Sequence, residues 1–362
     1  MLSAHSPKEP ESRISMNLHL LIPSLFWPDT SLSEIYRDLS LPALGNLLAK
    51  CSRTDDELEG MEPWLCRAFG VTKQLDWPIA PITLLSDGED RIKAGDDYWI
   101  RADPVHLRIE RDQIVVADSR VFPISPEEAC QLTSLLTQHF SSYGLDMAFL
   151  PLRPDRWYLR LVKTLPTQTH LLSDVIDLGI AEQLPYGSNN TVWRGFFNEV
   201  QMVLHEHPVN QSREERGEPS INAIWFWGGG IMPRSLISPY SHVWSNDILA
   251  ACLARASGAG QGSLPTNATT WCQSIRSGNH LVVLDSLHGK AQYRDPYGWR
   301  ESLKQLDHNW LGPLWTMLRQ GKVDQVTLTS LEHKKARNFI VRRSDLRKFW
   351  RRPKPIGMYA TR

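Results

Sequence analysis

The sequence predicts an α/β fold: a core built on a mainly parallel sheet, carrying a smaller inserted α+β domain. Three observations carry this. Short apolar runs alternate with helix-period segments toward both ends of the 362-residue chain. Between about 96 and 162 the pattern changes to consecutive β-rich runs. Hydrophobic residues make up 41% of the chain and charged residues 22%, a globular balance with room for one large core and an insertion.

Residues 1–15 are polar with no signal-like apolar stretch and read as a disordered extension, and Met16 directly precedes the first strand. Leu18 to Ile22 is a short apolar run closed by Pro23, the pattern of a buried strand. Leu41 to Leu48 opens a helix with Pro42 in its first turn. Tyr98 to Arg101, Val105 to Ile109 and Gln113 to Val116 read as strands, the last two joined by a turn at Arg111-Asp112. Ser125-Pro126-Glu127-Glu128 is a capping box, with Ser125 as N-cap and a glutamate three residues later. Ala129, Leu132, Leu135, Leu136 and Phe140 then form an apolar helical face, within which Cys130 reads as a small buried hydrophobe. Tyr158 to Val162 is a further strand.

A second strong helix runs from Asn190 to Glu206, and Pro208 stops it. Asn222 to Trp227 follows as a buried strand feeding Gly228-Gly229-Gly230. Then come a helix from Asp247 to Ala256, a strand from His280 to Leu284, a helix from Arg300 to Arg319 ended by Gly321, and a strand from Val323 to Leu328. These elements place the core at 16–95 and 166–331, the insertion at 96–165 and a basic C-terminal segment at 332–362.

Lysine and arginine number 40 and so do aspartate and glutamate, so no global field favours nucleic acid or a membrane surface. The five cysteines are scattered and never form C-x-x-C, which suits reduced thiols in a cytoplasmic protein. No apolar run is long enough to cross a bilayer.

From 207 to 230 several elements follow in a fixed order. His207-Pro208-Val209-Asn210 ends a helix, Arg213 lies three residues on, a turn carries Gly217, Pro219 and Asn222, and a strand ends in the triple glycine. This order resembles the archaeal-type cofactor-independent phosphoglycerate mutases of the alkaline phosphatase superfamily. The Trp-rich strand is similar to that of the bacterial regulatory proteins of RpfE type. The resemblance implies an alkaline-phosphatase-like core, two divalent metals such as manganese or zinc held by Asp and His at strand ends, and a hydroxyl nucleophile that carries the phosphoryl group.

Measured against that pattern, the catalytic residues are missing. Pro23-Ser24 stands where an Asp-Gly should follow the first strand. Alignment on Phe69-Gly70 puts Met61, in Gly60-Met61-Glu62-Pro63, at the serine position, and a thioether cannot be phosphorylated. Leu284 to Gly289 lacks the expected Asp…Gly-His spacing, and only Glu332-His333 remains as a remnant metal pair. The expectation is a catalytically degenerate protein with no metal cofactor and a regulatory or ligand-binding role. The alternatives are an active metal-dependent phosphomonoesterase or mutase with two rearranged metals, and a nucleic-acid-associated regulator.

His207, Asn210 and Arg213, with Gly228, Gly229 and Gly230, are the candidate site for a small anionic ligand. Arg101, Asp103 and His106 join them as a substrate-facing edge. The structural alternatives are a braced helix end with an exposed, ion-paired Arg213, a tight glycine turn, and an internal Arg101–Asp103 salt bridge. Asp285 and His288 read as ordinary strand-end polar residues. From Lys334 to Lys354 ten basic residues surround Phe349 and Trp350, a pattern suited to a protein partner or nucleic acid, or to a solvated terminus.

Overall fold

Every residue of Met16–Pro23 from Leu20 on is buried because both faces of this strand, β1, are covered. Leu18, Leu20 and Ile22 enter one apolar cluster and Leu21 enters another. The computed structural model describes residues 15–29, 33–57, 60–89, 91–110, 113–142, 147–161, 167–176, 180, 183–184, 190–274, 277–332 and 335–360. The expected extension before Ser15 and the expected turn at Arg111-Asp112 lie outside them.

β1 sits at the centre of a seven-stranded sheet. In spatial order the strands are β2 (Ser52–Glu57), β12 (Lys335–Arg342), β11 (Gln325–Glu332), β1, β10 (Gly278–Val283), β8 (His242–Trp244) and β9 (Gly260–Gly262). From β11 to β9 all pairings are parallel, while β12 and β2 return antiparallel. A second, antiparallel sheet runs β4 (Gln113–Ala117), β3 (Tyr98–Glu110), β6 (Arg156–Leu161), β5 (Met147–Arg153), and β7 (Ala223–Gly230) also pairs with β3. The α/β class with a mainly parallel main sheet thus holds.

Helices α1 (Pro42–Lys50), α9 (Ala268–Ser274), α11 (Pro296–Leu306) and α12 (Gly312–Gln320) cover one face of the large sheet. On its other face α2 (Met61–Ala68), α3 (Ile79–Asp87) and α8 (Ile248–Ala256) share a cluster with Trp225 and Trp227 of β7. The far side of the small sheet packs on α4 (Pro126–Ser142) and α6 (Asn190–His205). The short helices α5 (Leu172–Val175) and α10 (His288–Gln292) flank the space between the sheets, and α7 (Pro208–Glu215) follows α6 directly. Among the described residues no helix is long and apolar enough to cross a membrane.

Several elements differ from the sequence reading, each for a physical reason. Ala223–Gly230, expected as a strand of the parallel core, belongs to the second sheet. Its unbroken apolar run arises because Trp225 and Trp227 face the large sheet while Ile224 and Phe226 face α4 and α6. The two strands expected on either side of Pro104 are one continuous β3. Pro104 falls between the residues paired with β6, which end at Arg101, and those paired with β4, which begin at His106; a missing N–H there breaks no ladder on that side. The expected helix from 300 to 319 is interrupted by a π turn over Asp307–Leu311. The capping box forms as read, Ser125 and Glu128 exchanging bonds of 2.9 and 3.1 Å. Cys130, however, is exposed, one residue off the buried stripe.

Arg213, expected on the surface, is 1% exposed. Its guanidinium donates to the Pro219 carbonyl at 2.7 Å, the Glu128 carboxylate at 2.9 Å and the Pro123 carbonyl at 3.0 Å, tying α7 to the capping box of α4. Every direction of the fork is used inside the protein, so its function here is to hold the fold. Truncation orphans a carboxylate and two carbonyls, and breaking a buried pair costs roughly 3–5 kcal/mol. Arg216 still reaches Glu128, at 3.1 Å. Arg213→Ala is therefore expected to lose about 3 kcal/mol, read from the denaturant midpoint; a loss under about 0.5 kcal/mol would return Arg213 to the surface class.

Candidate functional site

Parallel strands of an open sheet present their carboxyl ends to one edge, and ligands gather there. β1 ends at Pro23, and Ser24 turns away in the left-handed region with φ 57°. The Ser24 N–H donates to the Leu331 carbonyl at 3.0 Å and the Leu284 N–H to the Leu21 carbonyl at 2.8 Å. Ser24, Asp285 and Glu332 therefore stand at neighbouring ends of β1, β10 and β11. Ser24 Oγ lies 3.3 Å from His288 Nδ1, at the start of α10.

A cleft of about 700 Å³ opens between these strand ends and the second sheet. On the large-sheet side it is lined by Met61, Glu62, Asp247, Asp285 and His288. Gly60, with φ 81°, precedes α2 and sets Met61 and Glu62 in its first turn. Asp247 is the N-cap of α8, its Oδ1 accepting from the Ala250 N–H at 2.8 Å. The opposite wall presents Arg101, Asp103, Arg120 and Arg156, and Lys290 and Tyr293 follow His288 along α10 between the two.

Glu62, Asp247 and Asp285 have no ion-pair partner among the described residues, whereas each base opposite is paired with an acid. Burial pushes the Asp247 carboxyl up to about 6, with the charges of Glu62 and Asp285 adding to the effect. Burial raises Glu62 as well, although Ser173 Oγ donates to it at 3.0 Å, and it also raises Asp285. Burial lowers His288 to about 4, so its ring is neutral at pH 7. Facing them, Arg120 pairs with Asp118 at 2.8 Å and lies over the Tyr293 ring, whose hydroxyl donates to the same carboxylate. Arg156 is held on Asp87 by two contacts of 2.8 and 2.9 Å, and Lys290 reaches Asp295 at 3.4 Å.

Of the residues expected to bind a ligand, only Arg101 and Asp103 line this cleft, and they are paired with each other at 2.7 Å. His106 Nδ1 contacts the Ser220 carbonyl at 2.8 Å, away from it. His207 caps α7, its Nδ1 accepting from the Val209 N–H, and the Asn210 side chain staples Leu204 to Ile221. Gly228, Gly229 and Gly230 form the end of β7 rather than a ligand loop. A Cβ there would stand 2.8 Å from Ile79 Cβ, 2.4 Å from Tyr98 Oη and 2.7 Å from Pro78 Cβ respectively. These glycines let α3 and Tyr98 pack onto β7. The remnant Glu332 is ion-paired with Arg337 at 2.7 Å, and His333 lies outside the described residues. Among the described residues no three His, Cys, Asp or Glu side chains converge as metal ligands do.

Sequence reasoning missed Glu62, Arg120, Arg156, Asp247, Lys290 and Tyr293, and set Asp285 and His288 aside. One signal was present for Asp247, an N-cap type between a strand and a helix.

No family model matches the chain. It is 38% identical over 61 residues to a probable 2,3-bisphosphoglycerate-independent phosphoglycerate mutase of Geobacter sulfurreducens, and this match spans 17% of the chain and 15% of that protein's length. In structure it is similar to the PH0037 protein of Pyrococcus horikoshii, with a TM-score of 0.57 and 14% identity over 96% of this chain and 92% of the other. Superposition on the cofactor-independent phosphoglycerate mutase of Thermoplasma acidophilum covers 95% of this chain and 94% of the other, with 15% identity and a TM-score of 0.49. The PH0037 likeness shows a shared fold.

The raised Asp247 carboxyl makes stability depend on pH. Unfolded, it ionises near 3.8; folded, near 6. The folded state therefore carries a penalty that starts above pH 3.8, grows to pH 6 and stays constant beyond. Asp247→Asn keeps the N-cap and removes the charge. It is expected to stabilise the protein at pH 7–8 by about 2 kcal/mol, after discount for its partly open side, and to leave stability at pH 3.5 unchanged. Equal effects at both pH values in chemical denaturation would refute the assignment.

Proposed function

We propose that the chain is a phosphoglycerate-mutase-like protein that has lost phosphoryl transfer. In this reading it uses the inter-sheet cleft to hold a small phosphorylated or carboxylated anion, in a regulatory role like that suggested by its likeness to the RpfE-type proteins. The observation that carries this is Met61, at the start of α2 on the cleft wall, where the resembled enzymes carry a serine.

The strand-end residues fit a metal pair poorly. Pro23-Ser24 stands where the resembled enzymes carry the Asp-Gly of the first metal aspartate, and Ser24 is hydrogen-bonded to His288. Glu332, at the last position, already faces a guanidinium, and Arg337 brings the positive charge that an ion would otherwise supply. The far wall suits an anion: Arg120 is half-open on a Tyr293 platform, and Lys290 is half-exposed beside it. A rival reading, a phosphomonoesterase with rearranged metal ligands, draws on the proximity of Glu62, Asp247 and Asp285 in the same cleft.

Titration calorimetry with 3-phosphoglycerate, and separately with inorganic phosphate, tests the reading. Binding is expected to weaken about tenfold or more in Arg120→Gln, the loss of one charge-assisted contact. It is expected to tighten between pH 7 and 5 as Asp247 takes up a proton. Mutase or phosphatase turnover that appears with manganese and vanishes with a chelator would overturn the degenerate reading in favour of the rival.

A further inference from the structure

The segment Arg342 to Lys354 carries seven basic side chains against one acid, Asp345. That acid is fully engaged: one oxygen accepts the Arg342 N–H at 2.8 Å and the other pairs with Lys348 at 2.6 Å. Arg343, Arg347, Arg352 and Lys354 are exposed and have no acidic partner among the described residues. Between them Phe349 is 83% and Trp350 65% exposed. The two rings meet edge to face at 5.2 Å, so they shelter little of each other from water.

This surface is held in place. The Lys50 ammonium donates to the carbonyls of Lys348 and Arg351, at 2.5 and 2.7 Å, and Arg351 donates to the Cys51 carbonyl at 2.9 Å. The short 3-10 turn Arg343–Arg347 rests beside the end of α12, with the Arg343 guanidinium lying across Gly321. The exposed Arg319 and Lys322 flank that glycine and extend the basic area.

We infer that this C-terminal surface binds single-stranded nucleic acid. Exposed aromatic faces offer stacking to bases, and arginines around them offer planar, bidentate contacts to phosphates. Five of the seven basic residues are arginine, the side chain suited to phosphate and base planes rather than to diffuse surface charge. A duplex hides its base faces and gives Phe349 and Trp350 nothing to stack on, so single strands are preferred. The segment presents no apolar helical stripe that would lie in a lipid interface. This inference concerns a different surface from the cleft and stands without the reading given there.

The test is fluorescence anisotropy of the full chain with a labelled single strand of about fifteen nucleotides, a length that covers one binding surface. A duplex of the same sequence and vesicles containing anionic phospholipid serve as comparisons. The single strand is expected to bind more tightly than the duplex and to quench Trp350 fluorescence. Phe349→Ala with Trp350→Ala is expected to weaken binding roughly fivefold or more, with the melting temperature unchanged. Arg347→Gln with Arg352→Gln is expected to reduce the slope of log K against log salt by about 1.4, two single-strand phosphate contacts. Absence of binding at low salt, equal affinity for the duplex, or indifference to the aromatic variant each overturns the inference. Binding to vesicles alone would assign the surface to a membrane instead.

Discussion

The buried ion pair between Arg101 and Asp103 is the constraint on which the second sheet and the cleft depend. Two charges two residues apart on β3 are taken out of water, which is tolerable only when their remaining polar atoms are satisfied. They are. Asp103 accepts from Arg101 Nε and Nη2, from the Trp157 N–H at 3.2 Å and from Trp227 Nε1 at 2.8 Å. The guanidinium lies 5.1 Å from the centres of both the Tyr158 and Trp227 rings, each of which offers it an electron-rich face. One pair thereby fixes β3, β6 and β7 relative to one another. Tyr158 carries the linkage onward, its hydroxyl reaching Thr83 and Asp87 of α3, and Asp87 in turn holds Arg156. Arg156, on the cleft wall, is thus positioned by the same network that holds the small sheet together.

The strand ends of the large sheet are held by contacts within the protein. A dinuclear site needs several carboxylates and imidazoles kept apart from one another by the ions they share. Here Ser24 contacts His288 and Glu332 pairs with Arg337, whose guanidinium also donates to the carbonyls of Tyr359 and Ala360 and lies over Phe26. One Glu332 oxygen and Arg337 Nε are buried without a hydrogen-bond partner. Burial raises the Asp247 and Glu62 carboxyls further down the cleft.

Much of the fold was legible because its signals are local. The capping box at Ser125, the proline at the start of α1 and the apolar runs of β1 and β10 each follow from a few neighbouring residues. What escaped was decided by distant partners. Ser52–Glu57 is a strand of almost wholly exposed polar residues, and only pairing with β12 defines it. Ala223–Gly230 could not be assigned to a sheet from its own residues, since a run buried on both faces suits either one. The site was less legible than the fold. The motif from 207 to 230 stood out by its order, and in the structure Asn210, Arg213 and the three glycines are engaged in packing. Arg120, Arg156 and Asp247 carry no motif, and the cleft forms only when two sheets face each other.

The β11–β12 hairpin connects these features physically. Glu332, at the end of β11, faces Lys335 in register across the turn, and Arg337 of β12 reaches back to pair with it. The same arginine clamps the carbonyls near the chain's end, and Lys50 clamps those of Lys348 and Arg351. The C-terminal residues from 335 to 360 are therefore not an appendage beside the core. They supply the counter-charge for a strand-end carboxylate, and the backbone anchored in doing so carries Phe349, Trp350 and their arginines on the outside. Arg337 thus joins Glu332 to the chain near Tyr359 and Ala360, while Lys50 and Arg351 fix the backbone that carries the basic surface.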